Sequence, residues 1–339
     1  STSLILNKYS SMNTICLTPV KNEEWILETF LQCVSLWADH IIIADQQSSD
    51  RSCEIAKSFD KVTLLRNDSD SFNEPDRQKM LINEARKFKG PNLLIALDAD
   101  EILSGNFIKS DDWQKINSLG LGSRIYLESI NVDSTFTKYW TKGFHYFGFV
   151  DDGTSHKGFE IDSPRLPDTS YTSIFYSQEI KILHLQYIDA ERAKFKQIWY
   201  QCLEKTLSDI TYLGKKKTNY YIFQRYNKYK FEVRDLNPIN EKWINLYENS
   251  GIKLKESASE KIPFLDYIKI FFDKYGTKFF EKLDIWDEDW NRIYQSQQYT
   301  DPRNAITQLI HRWLNNRKEL RLSYFENWLL QILEFLKIY

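Results

Sequence analysis

Over the first hundred residues, short apolar runs alternate with stretches whose apolar positions recur every three or four residues. Thr14–Leu17 is such a run, and it predicts a strand. From Glu23 to Leu36, Ile26, Phe30, Cys33 and Val34 recur at helical spacing with Trp37 just beyond, so one face of a helix is apolar. His40–Ala44 is a β-branched run, Asp50–Phe59 reads as a short helix with Ser48 or Ser49 as its N-cap, and Val62–Leu65 is a third strand. Glu74–Phe88 reads as a helix, and after Gly90 and Pro91 the unbroken apolar run Leu93–Leu97 predicts a fully buried strand. Strands alternating with helices in this way predict an α/β fold: a mostly parallel sheet with helices on both faces, ligands binding beyond the carboxyl ends of the strands.

The pattern then changes. Ser110–Gln186 is irregular and aromatic, with Arg124–Ile130 and Glu179–Tyr187 as its strands, and Asp151–Pro167 reads as a loop. After Asp189 helical spacing dominates, in Ala190–Leu207, Pro263–Lys282, Pro302–Trp313 and Leu320–Ile338. The expected division is therefore a domain over 1–188 and a mainly helical region over 189–339 that binds an acceptor or partner.

Composition narrows the chemistry. Of 339 residues, 42% are hydrophobic and 27% charged, the balance of a globular protein, and a net charge of −2 gives no field to recruit nucleic acid. Cys16, Cys33, Cys53 and Cys202 form no Cys-x-x-Cys pair, which argues against a zinc knuckle and a disulfide framework. No apolar run approaches the ~20 residues of a spanning helix, and no signal-peptide pattern opens the chain. A cytoplasmic location is the expectation, with membrane contact limited to the periphery.

The loops that follow the predicted strands carry acid: Thr18–Glu24, Asp45–Asp50, Arg66–Asp70 and Asp98–Glu101. In extended backbone Asp98 and Asp100 share a face while Ala99 turns away, so two carboxylates converge on one cation. Oxygen donors suit Mn²⁺ or Mg²⁺, whose shell substrate phosphates complete. Phosphate-loop, dinucleotide-binding, His-Glu-x-x-His and Gly-x-Ser-x-Gly motifs are absent.

Taken together, "ICLTPVKNEEWILETFL", "WADHIIIADQQSSDRS" and "LLIALDADEIL" resemble glycosyltransferase family 2 in order, spacing and flanking strands. The resemblance implies the GT-A fold and metal-dependent transfer of a sugar, with inversion, from a nucleotide-diphosphate donor, expected to be a UDP-sugar. It places Pro19, Lys21, Asn22 and Glu23 against base and ribose, Asp45 at the base and Arg77 near the donor. Asp98, Ala99 and Asp100 match the metal and ribose motif. Gln47 stands where the common form has Gly.

For the acceptor's proton the paired acids Asp151 and Asp152 are the first candidates, with Glu160 and Asp162 behind them; His156, Lys157 and Arg165 share their loop. His184, inside the strand "EIKILHLQY", is the expected third metal ligand. The basic, aromatic stretch Lys215–Lys230 reads first as a solvated helix that buries its tyrosines, and otherwise as a surface for nucleic acid, an anionic lipid carrier or acceptor sugars. The acceptor stays open among glycan, lipid-linked saccharide and protein, and no oligomeric state is assigned. One enzymatic rival, a sugar nucleotidyltransferase, needs a glycine-rich first loop that "TPVKNEEW" lacks. The other alternative is a non-catalytic binding or scaffold protein on a transferase-like fold.

Overall fold

The computed structural model describes residues 12–68, 74–158, 163–167, 173–207, 236–254, 261–295, 299–316 and 323–335. The chain divides into two compact units, one of Ser1–Ile188 with Asn237–Glu260, the other of Asp189–Leu236 with Lys261–Tyr339.

The first unit is built on β1 (Asn13–Val20), β2 (His40–Asp45), β3 (Val62–Arg66) and β4 (Asn92–Ala96), connected by α1 (Leu27–Val34), α2 (Ser52–Lys57) and α3 (Glu74–Ala85). These four strands are parallel in the order β3-β2-β1-β4, with Ile15 level with His40 and Leu94, and Ile41 level with Val62. Adjacent residues serve opposite faces. Cys16, Ile41, Ile43, Leu93 and Ile95 pack with Phe30, Leu31 and Val34 of α1, whereas Ile15, Leu17, Ile42, Ala44, Leu94 and Ala96 pack with Leu81, Ile82 and Ala85 of α3. Covering both faces requires unbroken apolar runs, which is why these strands are plain in the sequence.

Beyond β4 the sheet continues through β5 (Glu101–Leu103), α4 (Asp111–Ile116), β6 (Arg124–Val132), β7 (Lys138–Val150) and β8 (Ile174–His184), in the spatial order β4-β7-β6-β8-β5. β7 runs antiparallel to β4 and β6, β8 parallel to β6, and β5 antiparallel to β8. The 13-residue β7 has no counterpart in the sequence reading, because most of its first nine residues are exposed or half-buried and only Phe147–Val150 form a buried run. β8 likewise begins five residues before the expected Glu179. Its exposed first half is bent by a break in register against β6, and the Asp112 carboxylate holds the bend, accepting from Ser177 Oγ and Gln178 N at 2.8 Å and Glu179 N at 3.0 Å.

Asn237–Glu260 belongs with this first unit, although the sequence assigns it to the helical region. Asn237–Pro238 pairs with β7, and Trp243, Ile244, Tyr247, Ile252 and Leu254 join the α1-side core. Tyr247 Oη donates to Leu103 O at 2.5 Å. The second unit packs α5 (Ala190–Leu207) with the helix Pro263–Tyr275 around Phe195, Phe264, Phe272, Phe280, Trp286 and Trp290. That helix ends at Tyr275 rather than the expected Lys282, because Gly276 adopts φ +74° and turns the chain. Among the described residues no helix is long and apolar enough to cross a membrane.

Candidate functional site

The carboxyl ends of β1, β2 and β4 lie at one edge of the sheet, and the chain leaving each is tied to its neighbours. After β1, Asn22 takes φ +56°, a conformation asparagine tolerates; its Oδ1 accepts from Ser49 N at 2.8 Å and its own N–H donates to Ser48 Oγ at 2.9 Å. Glu23 N donates to Ser52 Oγ and Glu24 N to Asp50 Oδ2, while Arg51 N donates back to Glu24 Oε2. Two loops distant in sequence thus form one surface. Pro19 ends this approach within β1, half-buried, and Lys21 is exposed at its rim.

Asp45 closes β2 and is buried. Its Oδ2 accepts from Ser48 N at 3.2 Å, while among the described residues its buried Oδ1 has no hydrogen-bond partner. Burial and this carboxylate together push the Cys53 thiol above its ordinary range. Gln47 sits at φ +54°, the left-handed region in which glycine costs nothing. Arg77, on α3, reaches the same loop through Nη1 to Gln46 Oε1 at 3.1 Å.

The third loop departs from expectation. β4 stops at Ala96 and Asp98–Glu101 forms a turn closed by Glu101 N donating to Asp98 O at 3.0 Å, so strand alternation does not govern Asp98 and Asp100. Each acid has its own partner. Asp98, its side chain 44% exposed, receives Arg165 Nη2 at 2.6 Å, and Arg165 also pairs with the buried Glu101. Asp100 is buried beside His184, with Nε2 at 3.5 Å from Oδ1. β5 delivers this contact, since Glu101 is level with His184 in the β5–β8 ladder. Ala99 is buried between the two acids.

His184 Nδ1–H donates to Asn131 Oδ1 at 2.8 Å. With Nδ1 engaged there, Nε2 is the ring nitrogen that faces the Asp100 carboxylate. Asp100 and His184 place one carboxylate oxygen and one imidazole nitrogen side by side at this edge. Among the described residues no group of three or more His, Cys, Asp and Glu donors is arranged around one point; Asp98, expected to converge with Asp100 on one cation, is turned to Arg165.

The structure does not bring Asp151 and Asp152 to this edge. β7 descends antiparallel to β4, so Asp151 N bonds Asn92 O at the opposite end of the strand, roughly 20 Å from Asp98 at ~3.3 Å per residue. There Asp151 is clamped by Arg86, with Nη2–Oδ1 at 2.7 Å and Nε–Oδ2 at 3.0 Å. Asp152 caps its own turn through Oδ1 to Thr154 N at 2.9 Å. Glu160, Asp162 and Lys215–Lys230 lie outside the described residues.

Sequence reasoning passed over three residues at the edge. Glu101 had a signal, adjoining the acid motif. Asn131 had none, because only the pairing of β6 with β8 sets it opposite His184. His145 is the third: it lies on β7 beyond the last β4 pair, Ile95 with Gly148, and within electrostatic reach of Glu101 and Arg165. Partial desolvation and Lys142 push the His145 imidazole below its ordinary range.

No family model and no curated protein matches the chain. Among solved structures it is similar to glucosyl-3-phosphoglycerate synthase from Mycobacterium tuberculosis in complex with Mn²⁺, UDP and glucosyl-3-phosphoglycerate, at 15% identity and a TM-score of 0.26, over 37% of this chain and 46% of that one. The chain thus matches less than half the length of that enzyme. HddC from Yersinia pseudotuberculosis is similar at 13% identity and a TM-score of 0.28, over 51% of this chain and 93% of that one. A 4-diphosphocytidyl-2C-methyl-D-erythritol synthase matches at 12% identity and a TM-score of 0.27, over 41% and 73%. The functional reading therefore rests on the site itself.

Proposed function

We propose that the chain is a metal-dependent glycosyltransferase that takes its sugar from a nucleotide-diphosphate donor. The observation that carries the reading is convergence: the loops after β1, β2 and β4 meet at one sheet edge, and β8 brings His184 beside Asp100 there. In this reading Asp45 recognises the base, the Lys21–Glu23 segment flanks base and ribose, and Arg77 steadies the second loop. Asp100 and His184 hold the divalent ion, whose chemistry is to neutralise the leaving diphosphate. Inverting displacement needs a proton acceptor at the same edge, and His145 takes that place instead of Asp151 or Asp152.

The test is a panel of nucleotide sugars assayed by thermal shift and by donor hydrolysis, with Mn²⁺ and with chelator. One nucleotide class should raise Tm only with metal, because a ligand that binds the folded state alone stabilises it by mass action. Asp100→Asn should abolish that rise. A protein that responds to no nucleotide sugar in Mn²⁺ is a scaffold, and the proposal fails.

A further inference from the structure

The described parts of the chain after β7, 151–158 and 163–167, are held at several points. The chain leaves the far end of β4, where Arg86 Nη2 holds Asp151 and also donates to Thr154 O at 2.7 Å. It reaches the functional edge with Ser163 N donating to Glu74 Oε2, at the start of α3, at 2.8 Å. His156 Nε2 bonds Pro164 O at 2.7 Å, and Tyr146 Oη donates to Pro167 O at 2.7 Å. The described ends of this strap are therefore anchored on both sides of Arg165, whose guanidinium lies 5.4 Å from the Phe147 ring centroid.

Two anions hold Arg165 unequally. Glu101 is 3% exposed and Asp98 44%, so the inner carboxylate fixes the guanidinium while the outer one opens to solvent. A buried ion pair of this kind is a poor device for stability, since desolvation offsets most of the Coulomb attraction. A planar fork with an inner anchor and an outer, exchangeable anion is instead suited to bidentate binding of phosphate. We propose that Arg165 binds the donor's diphosphate, exchanging its Asp98 contact for phosphate oxygens while Glu101 keeps it in place. The inference deepens the glycosyltransferase reading and rests on it.

The experiment compares the nucleoside diphosphate selected by the donor panel with its parent nucleoside, by calorimetry in Mg²⁺. Arg165→Lys keeps the charge and removes the fork; Arg165→Met with Glu101→Gln removes both charges without stranding a buried carboxylate. Either variant should weaken diphosphate binding about tenfold or more and leave nucleoside binding within twofold. Equal weakening of both ligands, or unchanged diphosphate binding in folded variants, overturns the assignment of Arg165 alone. If wild-type protein binds neither ligand, the glycosyltransferase reading falls and the assignment with it.

Discussion

Gln47 is a residue at odds with its own backbone. At φ +54° a side chain with a Cβ costs about 1–2 kcal/mol, and glycine's greater freedom when unfolded returns part of the gain. Gln47→Gly is expected to raise stability by about 1 kcal/mol in urea denaturation; a loss would mean that the Gln47 side chain holds the loop. The glycosyltransferase resemblance puts glycine here, so the one position where the motif departs is also where the backbone wants glycine. His184 poses the second residue-scale test. Its Nδ1 is committed to Asn131, so Nε2 is the nitrogen left to ligate a metal. His184→Ala should weaken Mn²⁺ affinity at least tenfold in a protein that stays folded. A His184→Ala protein that binds Mn²⁺ as tightly as wild type would remove the imidazole from the site.

At the scale of elements, legibility followed burial. β1 to β4 are covered on both faces, so their apolar runs announce them, and the acids just past their ends could be named from sequence. β7 is covered only near its end, and its direction decides where Asp151 lies; a loop reading has no direction, so acids at the wrong end of the sheet looked eligible. The acid motif failed differently, because strand geometry was extended two residues past the last strand residue, Ala96. His184 was legible as a polar residue in an apolar strand, yet its partner Asn131 arises only from pairing. The bend in β8 depends on one carboxylate. Burial raises the Asp112 pKa, but hydrogen bonds from Glu179 N, Ser177 Oγ and Gln178 N outweigh it and hold the group below the usual carboxylate range. A folded pKa below the unfolded one gives stability that is present above pH ~4 and lost as pH falls through the folded value. Asp112→Asn should therefore cost about 2 kcal/mol at pH 7 and progressively less as pH falls through the folded value. Equal destabilisation across that range would show that charge is not what the bend uses.

At the scale of the whole molecule, the first unit is discontinuous in sequence, and this sets how the chain can be cut. Its core is completed by Trp243, Ile244, Tyr247, Ile252 and Leu254, which return after an excursion of 48 residues through the second unit, Asp189–Leu236. The return is closely fitted: a Cβ on Gly105 would lie 2.9 Å from Leu246 Cβ and 3.1 Å from Trp243 O. Losing one large buried side chain costs roughly 3–5 kcal/mol, and a whole domain has only about 5–15 kcal/mol to lose. A chain ending at Ile188, where helical spacing suggests the boundary, should fail to fold cooperatively and should aggregate through its exposed α1-side core. One ending at Glu260, with 189–236 replaced by a flexible linker so that α5 is not left without the Pro263–Tyr275 helix it packs on, keeps the complete first unit and with it every residue of the proposed donor site. It should unfold in a single cooperative step and retain metal-dependent donor binding within a few-fold of the full chain, read by thermal shift with the nucleotide that the donor panel selects. If the shorter chain matched the longer one in both properties, the 237–260 return would be dispensable, and the boundary would lie where helical spacing alone puts it.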